Sequence, residues 1–300
     1  MDLYEINKKH SVIIFFITLI LLSISYFNLN YKIPFLTIIC FFLISTLGVS
    51  HGALDNLKGY KLLKIYGIKQ RYIFYLMYVM ISLITIFFWF IFPLLTLSLF
   101  LFVASYHFAK EDCTFGKFKK TKLINLFFLF KGSIVILAPL TFHAEETLKI
   151  FEILDVQIKT INKEILLSLL SLSLLSNFLI NNNTMISLLD WITVLILNIA
   201  LFPLVAFTVY FCFLHSVRHS LSLIYELNEN NFKKGFKDFI KKALPLTIIT
   251  GVLYLFVAYL LTNSYNLDDA ILKVIFIGLA SLTFPHILLE YLLEKNEKRT

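Results

Sequence analysis

The segment PLVAFTVYFCFLHSVRHSLSLI, Pro203 to Ile224, decides how the whole chain is read. It is long enough to cross a bilayer, for which a helix needs roughly 17–25 mostly apolar residues, yet it carries His215, Arg218 and His219. Ionisable side chains at such depth are costly, turn toward a bundle interior, and mark functional positions. The i, i+4 spacing of His215 and His219 places two imidazoles on one helical face, able to bind one metal in adjacent positions. The pair lacks the glutamate of the H-E-x-x-H zinc proteases, which argues against hydrolysis there.

Apolar stretches of spanning length recur at about 11–29, 34–50, 72–92, 94–109, 122–142, 164–180, 187–201, 203–224, 244–262 and 269–293. Composition agrees, because 300 residues that are 59% hydrophobic and 15% charged, with a mean hydropathy of +0.82, lie far outside the range of soluble domains. The expected fold is an all-α polytopic membrane bundle of about 8–10 helices, the number turning on whether Pro93 and Pro203 separate two spans or kink one. No internal repeat, linker or low-complexity tract interrupts it, so residues 1–300 are expected to form a single membrane-embedded domain. The first apolar run follows Lys8 and Lys9 without a small-residue cleavage motif and reads as a retained span. Cys40, Cys113 and Cys212 are scattered, which supports neither a disulfide framework nor a zinc ribbon.

The formal charge of +8 resides mostly in lysines between apolar runs, where it orients the chain in the membrane and gives no nucleic-acid signal. With ten spans, the loop 51–71 and the loops 110–122 and 225–243, each of the latter two with five lysines, fall on one side. Both termini join them, and the positive-inside rule makes that side cytoplasmic.

On this topology His51 ends span two, His107 ends span four, His215 and His219 lie in the inner half of span eight, and His286 in the inner half of span ten. Five of the seven histidines thus converge at one depth, the pattern of a metal site assembled from separate helices. His143 maps to the opposite face and His10 to the tail. Three of the five are followed one turn on by acid: His51 by Asp55, His107 by Glu111 and Asp112, His286 by Glu290. Asp55 suits the role of accepting the free N–H of a metal-bound imidazole, fixing its tautomer, and Glu111 repeats the arrangement. Buried Arg218 needs a partner among Asp55, Glu111, Asp112 and Glu290, and Lys131, in mid-span, is expected to snorkel or pair. An all-imidazole set suits iron, copper, zinc or nickel alike. A membrane-dissolved apolar substrate offers no carbonyl or phosphate to polarise, which favours oxygen activation.

Taken together, His51-Gly-Ala-Leu-Asp55, His107-Phe with Glu111-Asp112, His215-Ser-Val-Arg-His219 and Pro285-His286 closely resemble the Brp/Blh family of membrane β-carotene 15,15′-dioxygenases from bacteria and haloarchaea. The resemblance spans nearly the whole chain; the order and spacing of the motifs are specific, while each alone is not. It implies a multi-pass bacterial inner-membrane enzyme that uses iron(II) and O2 to split β-carotene at its central double bond into two molecules of retinal, the chromophore of a microbial rhodopsin. It carries the metal-ligand role onto His51, His107, His215 and His219, leaving His286, with Asp55 and Glu111, as further active-site candidates. Phe142-His143-Ala144-Glu145-Glu146 also looks like a family segment, with Ala144 where Pro is usual. Two other classes remain in view: a membrane di-iron desaturase or hydroxylase, which resembles proteins with more histidines than are present here, and a histidine-lined metal or proton transporter, which an internal repeat would favour.

Overall fold

The computed structural model describes residues 3–27, 35–113, 123–158, 160–180 and 184–297, apart from the side chains of Phe27, His51 and Glu297. The first half holds helices α1 (Leu3–Phe27), α2 (Leu36–Leu43), α3 (Asp55–Ile65), α4 (Tyr72–Ile91), α5 (Pro93–Asp112), α6 (Ile124–Gly132) and α7 (Ile134–Phe142). The second holds α8 (Ala144–Ile153), α9 (Lys163–Ile180), α10 (Thr184–Ala200), α11 (Pro203–Val209), α12 (Val217–Leu227), α13 (Phe232–Leu261) and α14 (Leu267–Glu297). Among the described residues there is no strand, and nine helical runs are long and apolar enough to span a membrane, with Thr184–Ala200 a shorter tenth. The protein is an all-α, multi-pass membrane bundle.

Both prolines left open by the sequence separate helices. Pro93 opens α5 after Phe92 leaves helical geometry at φ −132°, ψ 64°, and Pro203 opens α11 after the extended Phe202. Proline favours the first turn, where its missing N–H has no helical partner to lose.

Several expected loops are helical. The stretch 51–71 was expected to connect spans, yet His51–Leu54 forms a 3-10 turn that runs into α3 through Ile65. Span four continues past Ala109, so Glu111 and Asp112 end α5 instead of opening a loop. The lysines of 233–242 ride on the first turns of α13, and the 143–163 connection contains α8. Hydropathy marks only where a helix enters hydrocarbon, not where its backbone hydrogen bonding stops, and basic side chains are good helix formers.

Two π-helical segments, Ile44–Gly48 and Tyr210–Ser216, pack against each other near the bundle centre. The Ser216 hydroxyl donates to the Gly48 carbonyl (2.9 Å), and a Cβ at Gly48 would lie 2.6 Å from the Phe211 ring. Each segment widens its helix by about one residue per turn, a distortion common beside functional sites, and His215 sits in the second.

Arg218 is 2% exposed, and its guanidinium forms a forked pair with Asp190 of α10 (2.7 and 3.0 Å), with Ser11 of α1 at 2.7 Å. The partner is thus none of the four acids expected; only the backbone carbonyl of Asp112 reaches it, at 3.4 Å. Lys131 does not snorkel: it is buried and donates to the Cys113 sulfur at 2.6 Å.

Candidate metal centre

Three helical runs deliver four imidazoles to one buried point. His107 comes from α5, His215 and His219 from the π-segment and α12, and His286 from α14. Ring centroids of His107 lie 5.6 Å from His215 and 5.1 Å from His286, and His219 lies 6.2 Å from His286. All four are less than a tenth exposed. The fifth candidate, His51, has its backbone in the 3-10 turn before Asp55, and its side chain lies outside the described residues.

Each of three rings is held at Nδ1 by a carboxylate from another helix. His215 meets Asp112 Oδ1 at 3.1 Å, His219 meets Glu111 Oε2 at 2.8 Å, and His286 meets both oxygens of Asp55 at 2.9 and 2.8 Å. A carboxylate on Nδ1 fixes the proton there and turns the Nε2 lone pair to the opposite edge, the arrangement that orients imidazoles toward a metal. Tyrosines steady two of these acids: Tyr210 donates to Asp112 Oδ2 and Tyr78 to Asp55 Oδ2, each at 2.9 Å.

The pairing crosses between helices, and the local His-then-acid motif does not close on itself. Residues i and i+4 share a face, so both look toward the neighbouring helix and meet its groups. Glu111 and Asp112 therefore serve α12 and the π-segment while His107 looks to α14, where Glu290 Oε2 lies 3.6 Å from its Nδ1. Asp55, expected one turn after His51 to serve an imidazole, holds His286.

The sequence reading noted Glu290 one turn after His286 without giving it a place among the site residues, and gave Lys58 none. Glu290 belongs to two groups of donor atoms lying within 4.8 Å of one another, His107–His286–Glu290 and Glu111–His219–Glu290. Lys58 of α3 donates to its Oε1 at 2.8 Å. The signal was present as His286-x-x-x-Glu290, whereas Lys58 was assigned to a cytoplasmic loop. His143, at the break between α7 and α8, packs its ring against Phe202 at 6.1 Å, and His10 lies in α1.

Asp55, Glu111, Asp112 and Glu290 thus crowd around the imidazoles, while Lys58 pairs with Glu290, Arg218 is forked onto Asp190 and Lys131 is turned to the Cys113 sulfur. A low-dielectric setting makes such an excess of negative charge expensive unless a cation offsets it. Imidazole nitrogens and carboxylate oxygens together suit a divalent first-row transition metal, so the residues present fit one.

Beside the cluster lies a cavity of about 350 Å³ between α4, α13 and α14, a size typical of ligand sites. His107, His286 and Asp55 are among the residues that line it, together with Phe74, Tyr78, Phe108, Phe211 and Tyr254. Val79, Leu83 and Leu253, which also border it, are more than half exposed on the outer faces of α4 and α13, so its rim lies on the side of the bundle.

Fold and site together define an all-helical membrane protein with a histidine–carboxylate cluster of metal-binding type beside an apolar cavity. The chain belongs to the β-carotene 15,15′-dioxygenase family, whose sequence model matches residues 42–294. It is 36% identical over 102 residues to a β-carotene 15,15′-dioxygenase from uncultured marine bacterium 66A03, an alignment spanning 32% of this chain and 34% of that protein, about a third of each. No solved structure matches the chain.

Proposed function

We propose that this protein is an iron(II)-dependent dioxygenase that cleaves β-carotene at its central 15,15′ double bond with O2, yielding two molecules of all-trans-retinal for use as a rhodopsin chromophore. The observation that carries the reading is the cavity: an apolar, aromatic-walled space that reaches His107 and His286. Family membership over residues 42–294 and the likeness to the marine-bacterial enzyme support the same chemistry.

His51, His107, His215 and His219 are the proposed iron ligands, with His286 beside them, and Asp55, Glu111 and Asp112 hold the rings in register. Iron(II), when bound, supplies activation of O2 toward a carbon–carbon double bond. The chain contributes the rest. Aromatic and aliphatic walls take up the polyene and exclude water, and the lateral rim suits access from lipid. β-Carotene is about as long as the hydrocarbon core is thick, roughly 30 Å, so a centre off the midplane meets the middle of a tilted or nearly flat substrate. We place the protein in the bacterial inner membrane with both termini cytoplasmic.

Expression in a β-carotene-producing bacterium tests the function. Loss of orange colour with retinoids in the extract is the expected result; retained colour in cells holding folded protein with bound iron would refute it.

A further inference from the structure

The proposed four-histidine centre leaves one feature unused. Glu290 Oε2 lies 3.6 Å from His107 Nδ1, and its Oε1 lies 3.7 Å from His286 Nε2. Both separations exceed a normal N–H···O hydrogen bond, which closes to about 2.7–3.2 Å, so neither imidazole holds this carboxylate as Asp55, Glu111 and Asp112 hold theirs. They are close to the spacing of atoms sharing one ion, since donors about 2.1 Å from a common metal stand about 3.0–3.4 Å apart. Glu290 is also common to both donor groups of the cluster.

From this geometry we propose that Glu290 is a carboxylate ligand of the metal, making the centre a mixed imidazole–carboxylate site in place of an all-imidazole one. The inference rests on the metal-binding reading given above. Its chemistry follows from charge. Neutral imidazoles leave a divalent ion's full charge uncompensated in a buried site, whereas one bound carboxylate halves it. Lys58, 2.8 Å from Glu290 Oε1, then has a defined part as well: it secures the carboxylate on the side away from His107 and limits how much negative charge reaches the metal.

The test uses the purified full-length protein, stripped of metal and titrated anaerobically with Co(II) against a competing chelator, with the visible absorption spectrum recorded. Glu290→Gln is expected to weaken Co(II) binding at least about 10-fold, the lower end of the effect seen even for outer partners of metal ligands, and to shift the ligand-field bands. A second measurement does not depend on that variant folding. In wild-type protein carrying carboxyl-¹³C glutamate and loaded with Mn(II), electron–nuclear double resonance should show a strongly coupled ¹³C carboxylate, which persists in Glu111→Gln. Tight Co(II) binding that is unchanged in affinity and spectrum by Glu290→Gln, or a wild-type Mn(II) site without that coupling, would overturn the role of Glu290 and leave the histidine centre standing. Wild-type protein that binds neither ion would overturn the metal reading itself.

Discussion

At the scale of single residues, the histidines are legible because imidazole inside a hydrophobic run is rare and expensive, which singles out His107, His215, His219 and His286. Their partners were not legible. Which acid meets which ring depends on helix rotation and neighbour choice, and the structure pairs Asp112 with His215, Glu111 with His219 and Asp55 with His286 across helix boundaries. Alanine at His51, His107, His215 or His219 should abolish cleavage and lower bound iron, read by metal analysis of the purified variants; full iron occupancy in all four would refute the ligand assignment. Asp55→Asn should cost about 10–100-fold in activity while the protein stays folded, because it weakens the acceptor that orients His286 beside the metal. Turnover at limiting iron, compared with wild type, checks it. Away from the centre, Asp190→Ala would strand the guanidinium of Arg218, and losing one partner of a buried pair typically costs about 3–5 kcal/mol. Thermal unfolding in detergent should show that loss.

At the scale of elements, apolar length located the spans, whereas Pro93 and Pro203, which the sequence leaves open as breaks or kinks, open α5 and α11 in the structure. The π-segments left no trace in hydropathy, since an extra residue per turn changes register without changing composition, yet one of them carries His215. Lys58 was misplaced because basic residues were read as loop, whereas α3 continues the helical run and aims Lys58 at Glu290. The helix pair α5–α6 gives this scale its prediction. Gly132 lies so close to α5 that an added Cβ would stand 1.8 Å from the Ser105 carbonyl oxygen. That atom is backbone and cannot swing aside, so Gly132→Ala must part the two helices. The expected destabilisation is about 1–3 kcal/mol, the usual cost of overpacking, visible as a lowered unfolding temperature with the proposed metal ligands unchanged. An unchanged midpoint would show that α5 and α6 are not packed this closely.

For the whole molecule, apolar stretches of spanning length and the composition together pointed to the all-helical membrane bundle, and the structure adds what no linear pattern holds: a lateral apolar cavity that reaches the imidazoles. A polyene with polar ends would carry its hydroxyls into that largely apolar space at a cost of about 1–3 kcal/mol per unpaired group, so zeaxanthin should be cleaved far more slowly than β-carotene under the same detergent conditions. Equal rates would mean that the cavity offers water or hydrogen-bond partners to the ring ends. The central claim, dioxygenation at the middle of the chain, is tested most directly by supplying ¹⁸O2 to the iron-loaded protein with β-carotene and reducing the aldehydes at once to prevent exchange with water. The account predicts two molecules of retinol for each β-carotene consumed, both carrying ¹⁸O; products of unequal length, or label in only one of the two, would contradict it.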